Sequence, residues 1–383
     1  MHLTGIEFLF LAIAGCYSLT VLVVSAGWFA LDEGEKDVQE DLVTVSVIVA
    51  ARNESHTLPF LLEDLHRQEY PARFFDIIIV DDHSDERVSD LEQVISFPGN
   101  NLTVHIIPGN MQGKKQALLE GVKLSHSELI VFTDADCRVG PGWITSFVHQ
   151  YNAKASPMII GLVDYKPEPG ISQAFFRTDL LSLVVCGAGT ASLGFPTICN
   201  GSNMAVRRNL YLEQAKNLKK NLLSGDDVFL LHGVKRSEKK AISAIKSKDN
   251  LVRTQPPENL NEFFNQRARW ISKGRSYNDP HTIALALLVI LANLSFVLAV
   301  LFCISGAIQF RYAIAMYLMK LSSDSLILAA GFVYFGGKKT LLFIPVFELL
   351  YPFYILIAIF MGMLSLFSWK KRKQVSTEAI QPG

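Results

Sequence analysis

Charged side chains are concentrated in the middle of the sequence. Residues 1–31 contain only Glu7, residues 281–368 contain six charged side chains, and residues 32–280 contain 60 of the 72. Stretches of about 20 mainly apolar residues are long enough to cross the hydrocarbon core of a bilayer as helices. The pattern therefore predicts a polar domain held between membrane segments at both ends of the chain.

The composition excludes several classes of protein. The chain has 383 residues, 36 basic and 36 acidic side chains and a hydrophobic fraction of 50%, so neither disorder nor a nucleic-acid partner is expected. The five cysteines form no Cys-x-x-Cys pair and no cluster with histidine, which argues for a reducing compartment and against a zinc site. They are Cys16, Cys137, Cys186, Cys199 and Cys303.

The N-terminal segment 1–31 is predicted to be a transmembrane anchor. A cleaved signal peptide is the alternative, but no basic region precedes the apolar stretch, and the stretch is longer than the apolar region of a usual signal peptide. Trp28 lies where an aromatic side chain at the membrane interface is expected.

The C-terminal membrane domain, 281–369, is predicted to contain about three spans, at 281–306, near 312–336 and within 341–368. Pro345 and Pro352 leave two interpretations for the last segment: a single span, or an interfacial helix followed by a span. The pair Lys338-Lys339 and the basic tail 370–383 both favour the cytoplasm. A single crossing between them does not allow this, so the side of the tail stays open.

The domain between these regions, 40–280, alternates strands with helices. Strands are predicted at 43–50, 76–80, 102–107 and 128–133, and helices at 58–68 and 114–124. This order predicts an α/β fold with a doubly wound parallel sheet. Polar clusters follow three of the strands, at 52–54, 81–84 and 134–136, and ligands of such sheets bind at the carboxyl ends of the strands.

The cluster Asp134-Ala135-Asp136 is typical of a metal site. Alternation along an extended segment directs both carboxylates to one side. Mg²⁺ and Mn²⁺ prefer such oxygen ligands and usually keep phosphate oxygens as further ligands. A solvated turn at the end of the strand is the alternative interpretation.

Two further clusters have the chemistry of a nucleotide site. Asp81 and Asp82 could accept the ring N–H of a pyrimidine or hold a ribose hydroxyl, although such residues are also common in Asx turns. Lys114 follows Gly113 at a predicted helix start, where backbone N–H groups and a lysine can bind phosphate. The spacing is not that of a Walker A motif.

Three more clusters could act near a sugar. Asp226-Asp227 could take a proton from an acceptor hydroxyl, or could merely begin a helix. On a helix, a Gln, an Arg and a Trp share one face by their spacing; they are Gln266, Arg269 and Trp270. They could support a diphosphate and stack on a sugar, or anchor the helix at the membrane. Asn200 and Gly201 lie in a turn that could bind a sugar.

The clusters occur in one order: VSVIVAARNES, DIIIVDDHS, GKKQAL, LIVFTDAD, CNGSNMAVRR, SGDD and QRARW, followed by membrane spans. This ordered set resembles the membrane-bound family 2 glycosyltransferases, the group of cellulose synthase, hyaluronan synthase and ceramide glucosyltransferase. The resemblance covers about residues 43–275. It implies a GT-A fold, which is a Rossmann-like nucleotide-sugar-binding domain, together with a Mg²⁺ or Mn²⁺ ion and inversion at the anomeric carbon.

The resemblance also implies a role for each residue on the donor side. The residues that would bind the nucleotide and its sugar are Ala50, Arg52, Glu54, Asp81, Asp82, Lys114 and Asp134. Within that set, Asp82 and Asp81 would hold a uridine, and Lys114 would meet the diphosphate. Asp136 would be the main metal ligand, with Asp134 beside it.

On the acceptor side, the resemblance implies that Asp227 is the general base. The family motif commonly reads Glu-Asp, and here it reads Asp226-Asp227, so the choice between the two carboxylates stays open. The residues that would support the diphosphate and the acceptor are Gln266, Arg269, Trp270, Asn200 and Gly201.

We therefore expect an inverting glycosyltransferase that moves a sugar from a UDP-sugar to a lipid, lipid-linked or growing glycan, in the synthesis of cell-envelope glycans. A processive polysaccharide synthase is an alternative, although about three C-terminal spans are few for a secretion channel. A membrane transporter is an alternative of a different class, because Lys320 and Asp324 lie four apart within the third span.

The expected location is the cell membrane, with several spans, contacts to membrane lipids and a cytoplasmic catalytic domain, since nucleotide sugars are mostly cytosolic. The acceptor is expected to approach along 171–199, a broken apolar segment. This segment could lie at the membrane surface or form a buried helix and strand of the catalytic domain.

Overall fold

The computed structural model describes residues 5–33, 41–86, 102–110, 113–216, 225–238 and 242–367. The basic tail lies outside these residues. The helices are α1 Gly5–Phe29, α2 Leu58–His66, α3 Lys114–Leu124, α4 Trp143–Lys154, α5 Ile171–Ser192, α6 Arg208–Ala215, α7 Asp226–Ser237, α8 Leu260–Ser272, α9 Pro280–Ile304, α10 Phe310–Phe335 and α11 Ile344–Met363. The strands are β1 Val45–Ala51, β2 Phe75–Asp81, β3 Thr103–Pro108, β4 Leu129–Asp134, β5 Met158–Ile160, β6 Val163–Tyr165, β7 Met204–Arg207, β8 Ile242–Ala244 and β9 Val252–Thr254.

Within the described residues, seven strands form one sheet in the order β3-β2-β1-β4-β7-β5-β8, and β6 and β9 form a second, two-stranded sheet. The first four strands are parallel, and β7 is antiparallel to both neighbours. In the register of the sheet, Ala50 on β1 pairs with Asp134 on β4, and Ala51 pairs with Asp81 on β2. The carboxyl ends of these strands therefore meet at one edge.

The four predicted strands are present, with ends shifted by at most two residues. Strands β5 to β9 were not predicted. Each is three or four residues long, which is too short for a period of two to stand out in the sequence.

The sheet is covered on both faces, as parallel sheets require. One face packs against α2 and α4 through side chains such as Leu61 and Trp143. The other packs against α3, α6 and α7, and its core continues without a break into Trp28 of α1, Leu181 of α5 and Ile327 of α10. The apolar helices are thus packed directly onto the α/β domain.

Helices α1 and α5 meet at a pair of glycines. A Cβ on Gly27 would strike the backbone oxygen of Gly189, and a Cβ on Gly189 would strike the backbone oxygen of Val24. Small residues at such a crossing let two helix backbones approach closely, which is common between helices in membranes.

Helix α5 itself is continuous over Ile171–Ser192, and no strand follows it within 193–199. The interpretation of 171–199 as a buried helix and strand is therefore correct for the helix and wrong for the strand.

Five helices of the described chain are long and apolar enough to cross a membrane. They include α1, α9 and α10, close to where spans are predicted, together with α5. The fifth is the segment Lys338–Met363, which starts as the 3₁₀ helix Lys338–Phe343 and continues as α11.

The segment that ends in α11 begins and ends against the α/β domain. Just before its start, Arg177, which pairs with Asp164 of β6, donates a hydrogen bond to the backbone oxygen of Phe335, the last residue of α10, at 3.3 Å. Farther along, the hydroxyl of Tyr317 in α10 donates to the backbone oxygen of Pro345 at 2.8 Å. At its end, Gly362 packs against α8. The segment thus passes along α10 and returns to the side from which it started.

Candidate active site

A cavity of about 1220 Å³ begins at the carboxyl ends of β1, β2 and β4 and continues between the apolar helices. It brings together most of the residues singled out in the sequence. The lining includes Ala50, Arg52, Glu54, Asp82, Lys114, Asp134, Asp136, Asn200, Gly201, Asp227, Gln266, Arg269 and Trp270. Asp81 is not part of the lining, and Asp226 begins α7 with a side chain outside the described part of the structure.

Asp82 organises the loop that leads into α3. Its carboxylate accepts a hydrogen bond from the backbone N–H of Gly113 at 2.7 Å, and its backbone oxygen accepts one from Arg52 at 3.1 Å. Gly113 has a φ of 114°, a backbone conformation that favours glycine. These contacts place Lys114 in the lining of the cavity. Asp81 instead accepts from the backbone N–H of Ser84 at 3.0 Å, which fits the alternative interpretation of a turn.

Asp134 is the last residue of β4 and Asp136 follows it, and both line the same cavity. The ammonium of Lys114 lies 2.5 Å from a carboxylate oxygen of Asp134. Asp136 accepts a hydrogen bond from the hydroxyl of Thr254 at 3.2 Å. Burial, and then the negative charges of Asp134 and Glu54, raise the pKa of Asp136. This part of the cavity is therefore short of positive charge.

The carboxylate pair fits a divalent cation that shares its ligands with a substrate. Among the described residues, no group of three or more His, Cys, Asp or Glu side chains is placed to hold a metal alone. Asp134 and Asp136 supply hard oxygen ligands, and ions such as Mg²⁺ commonly bind through one or two carboxylates and complete their shell with substrate phosphates and water.

Asp227 is held in the first turn of α7 by three groups. Lys273 lies 3.7 Å from one carboxylate oxygen, and the backbone N–H groups of Val228 and Gly201 donate at 2.8 and 3.2 Å. Burial opposes ionisation, but Lys273 and these hydrogen bonds outweigh it and lower the pKa of Asp227. The side chain is thus ionised at neutral pH and able to accept a proton. Lys273 was not among the residues singled out in the sequence, because no motif spacing provides a signal for it.

The side chain of Asn200 forms its hydrogen bonds mainly within its own loop. The side-chain oxygen of Asn200 accepts from the backbone N–H and the hydroxyl of Ser202, at 3.1 and 2.9 Å. Gly201 contributes its backbone N–H to Asp227. The structure thus links this turn to the carboxylate of Asp227.

Helix α8 presents Gln266, Arg269 and Trp270 to the cavity, as their spacing predicts. The side-chain oxygen of Gln266 accepts hydrogen bonds from Tyr165 at 3.0 Å and from Arg267 at 2.5 Å. Neither Tyr165 nor Arg267 was singled out in the sequence.

Between the membrane helices the cavity is mainly apolar. Its walls include Val21 of α1, Leu183 of α5, Leu285 of α9, Ile327 of α10 and Ile355 of α11. An apolar chain of a lipid is the chemical class that such walls accommodate.

A charged cluster lines this apolar part of the cavity. Lys320 lies 2.5 Å from Asp324, as the spacing of four predicts, and it also pairs with Glu348 of α11. The hydroxyl of Tyr17 donates to Asp324 at 3.0 Å. The cluster joins three helices, and Glu348 and Tyr17 were not anticipated.

The whole chain matches a solved glycosyltransferase in fold. The mannosyltransferase PcManGT from Pyrobaculum calidifontis, solved with GDP-Man and Mn²⁺, superposes with a TM-score of 0.58 over 94% of this chain and 98% of that one, at 16% identity. The sheet with its polar edge therefore has a GT-A fold, with apolar helices at the N- and C-terminal ends that are long enough to cross a membrane.

Part of the sequence also matches a family model. Residues 46–177 match the model of glycosyl transferase family 2. The match covers less than half of the chain. Within 46–177 the chain is similar to glycosyl transferase family 2, which bears out the resemblance drawn from its motifs.

Two named relatives match parts of the chain in sequence. Glycosyltransferase AglE of Haloferax volcanii is 22% identical over 231 residues, which cover 60% of this chain and 72% of that protein. The undecaprenyl-phosphate 4-deoxy-4-formamido-L-arabinose transferase of Pseudomonas aeruginosa is 32% identical over 110 residues, which cover 28% of this chain and 32% of that protein.

Proposed function

We propose that this protein transfers a sugar, with inversion, from a UDP-sugar to a lipid, lipid-linked or growing glycan acceptor at the membrane. The continuity of one cavity carries the proposal. Its lining runs from Asp134 and Asp136, past Asp227, to the apolar side chains between the helices. Its volume of about 1220 Å³ exceeds the roughly 300–1,000 Å³ of a usual ligand pocket, which suits two substrates.

On the donor side, Asp82, Arg52 and the loop around Gly113 bind the nucleotide. Asp136, with Asp134, would hold Mg²⁺ or Mn²⁺, which when bound supplies positive charge next to the diphosphate. The ammonium of Lys114 stabilises the negative charge that grows on the leaving diphosphate. The Pyrobaculum neighbour, solved with GDP-Man and Mn²⁺, supports a metal-assisted donor site of this kind.

On the acceptor side, Asp227 accepts the proton of the acceptor hydroxyl as the oxygen attacks the anomeric carbon. The bond from that carbon to the diphosphate oxygen breaks in the same step, and the configuration inverts. The nucleoside diphosphate leaves as an anion, so one carboxylate base is enough. Arg269 and Gln266 support the diphosphate, and Trp270 stacks against a sugar.

The acceptor class rests on the apolar walls of the cavity. The Pseudomonas relative is named for undecaprenyl phosphate, a polyprenyl lipid, which supports a lipid or lipid-linked acceptor. A lipid chain between the membrane helices would bring its polar end to Asp227.

The arrangement in the membrane follows from the same contacts. We place the N-terminal anchor at 1–31, the catalytic domain at 40–280 and the C-terminal membrane domain at 281–369, with the catalytic domain in the cytoplasm of a multi-pass cell-membrane protein. Helices α1, α9 and α10 would cross, and the segment ending in α11 would re-enter. The chain then leaves α11 on the catalytic side, so Lys338-Lys339 and the tail 370–383 share the cytoplasm.

The test is nucleoside diphosphate release by the full chain, purified in detergent. UDP-sugars would be offered with and without Mn²⁺ or Mg²⁺, together with a membrane lipid extract as acceptor. We expect metal-dependent UDP release that falls in Asp136→Asn and falls by roughly 10²- to 10⁴-fold in Asp227→Asn.

The matched control is Asp249→Asn, an exposed aspartate that is not part of the cavity lining. Its activity should equal that of the wild type. Release with GDP-sugars in place of UDP-sugars would overturn the UDP assignment. Full activity in both Asp136→Asn and Asp227→Asn would overturn the mechanism.

A further inference from the structure

Arg267 is a buried cation in the helix that carries Gln266 and Trp270. Its side chain is 3% exposed. The guanidinium lies 4.3 Å from the ring centre of Trp270 and 4.7 Å from that of Phe263. The proposed mechanism assigns it no contact with either substrate.

The charge of Arg267 is balanced by a carboxylate from another helix. Its Nε atom pairs with Asp179 of α5, and the other oxygen of Asp179 accepts a hydrogen bond from Tyr354 of α11 at 3.1 Å. A buried guanidinium without such a partner would be strongly destabilising. The ion pair therefore fixes Arg267 between the catalytic helix and the helices that wall the cavity.

Arg267 and Tyr165 together determine which way the amide of Gln266 points. Both donate to the side-chain oxygen of Gln266, at 2.5 and 3.0 Å. That oxygen has two lone pairs, and two donors occupy them. Gln266, which lines the cavity, is left with its NH₂ group, which can only donate.

We propose that Arg267 and Tyr165 are positioning residues that turn the NH₂ group of Gln266 toward an oxygen of a bound substrate. Arg267 also holds the ring of Trp270 by lying over its face. This inference rests on the proposed function. The substrate oxygen belongs either to the leaving diphosphate or to the acceptor. A change in the donor KM or in the acceptor KM distinguishes these two possibilities.

The test is a double-mutant cycle of Tyr165→Phe and Gln266→Ala, with the diphosphate-release assay on the full chain in detergent. Tyr165→Phe removes one donor to Gln266 and keeps the ring. We expect kcat/KM to fall roughly 3- to 10-fold, as for one lost hydrogen bond. In the Gln266→Ala background, the same substitution should cost less than about twofold.

The control for the cycle is Tyr151→Phe, which removes a hydroxyl that donates to Glu128 at 2.7 Å, away from the cavity. It should keep the wild-type kcat/KM. Losses that multiply in the double variant would show that Tyr165 acts independently of Gln266 and would overturn the inference. An unchanged kcat/KM in Tyr165→Phe would overturn it as well.

A second variant tests Arg267. Arg267→Lys retains a cation for Asp179 but cannot also reach Gln266 with a planar fork of donors. We expect its thermal midpoint to stay near that of the wild type, while one KM rises several-fold. A higher donor KM assigns the oxygen to the diphosphate, and a higher acceptor KM assigns it to the acceptor.

Should Arg267→Lys fail to fold, the cycle at Tyr165 decides the inference alone. Different results would overturn the proposed function and the positioning roles. A wild-type protein without any transfer would overturn the proposed function, whereas an active wild type with independent losses would overturn only the positioning roles.

Discussion

Lys273 lies 3.7 Å from a carboxylate oxygen of Asp227, across the boundary between α7 and the turn that follows α8. The pair couples the proposed base to the segment that leads into the membrane at α9. Lys273 is itself buried and lines the cavity. The charge state of Asp227 thus depends on the position of Lys273 in the segment before α9.

The Lys273–Asp227 pair predicts a change in pH dependence. Lys273 holds the pKa of Asp227 below its ordinary value, although burial acts in the opposite direction. Lys273→Met removes the favourable charge, so the pKa of Asp227 should rise. The acidic limb of the kcat/KM profile should then move to higher pH, as measured by diphosphate release between pH 4 and pH 8. Lys248→Met, an exposed lysine outside the cavity, is the control and should leave the limb in place. An identical limb in Lys273→Met would contradict the role of Asp227.

Metal binding should weaken as the pH falls. Burial and the charges of Asp134 and Glu54 raise the pKa of Asp136, so this carboxyl takes up a proton at a higher pH than an ordinary aspartate. Protons and the cation compete for the same oxygen atoms. The rise in thermal midpoint caused by Mn²⁺ should therefore be large at neutral pH, smaller at acidic pH, and abolished by EDTA. A stabilisation that grows toward acidic pH, or that survives in Asp136→Asn, would count against Asp136 as the metal ligand.

The charged cluster in the membrane helices distinguishes an enzyme from a transporter. Glu348→Gln leaves the pair of Lys320 with Asp324 intact, so a glycosyltransferase should keep its activity within about threefold. Lys320→Leu leaves two carboxylates without their cation, and it should destabilise the fold by about 3–5 kcal/mol. Thermal midpoints and diphosphate release measure both effects. Loss of all diphosphate release in Glu348→Gln, with full release in Asp136→Asn, would contradict the enzyme mechanism and favour the transporter.

The proposed return of α11 to the catalytic side predicts how cysteines label in intact cells. Ser305 follows α9 and Leu366 follows α11, and both are exposed. In a background with the five native cysteines replaced by serine, a membrane-impermeant maleimide should label Ser305→Cys from outside. It should label Leu366→Cys only after the cells are opened. Labelling of both positions from outside would mean that the segment ending in α11 crosses the membrane.

The parts of the site at the ends of long strands could be predicted from the sequence alone. The buried runs that became β1, β2 and β4 fix where their carboxyl ends lie, and this brings Asp82, Asp134 and the region around Arg52 together. The spacing of Gln266, Arg269 and Trp270 likewise predicts a shared helix face.

Contacts between distant segments could not be predicted in this way. Lys273 reaches Asp227, and Tyr165 reaches Gln266 over 101 positions, because of how short strands and helices pack, and no local pattern records such packing. The course of α11 stayed open for the same reason. Length and hydropathy are those of a span, whereas the contact of Gly362 with α8 is the basis for the proposed return.

The glycine crossing of α1 and α5 gives the first helix more than a tethering role. Gly27 and Gly189 allow the two backbones to touch, and Val21 and Val24 of α1 line the cavity. Replacing α1 with an unrelated anchor of equal hydrophobicity would keep the chain in the membrane and remove one wall of the chamber. The membrane anchor is thus part of the enzyme, and exchanging it between homologues should exchange acceptor preference along with it.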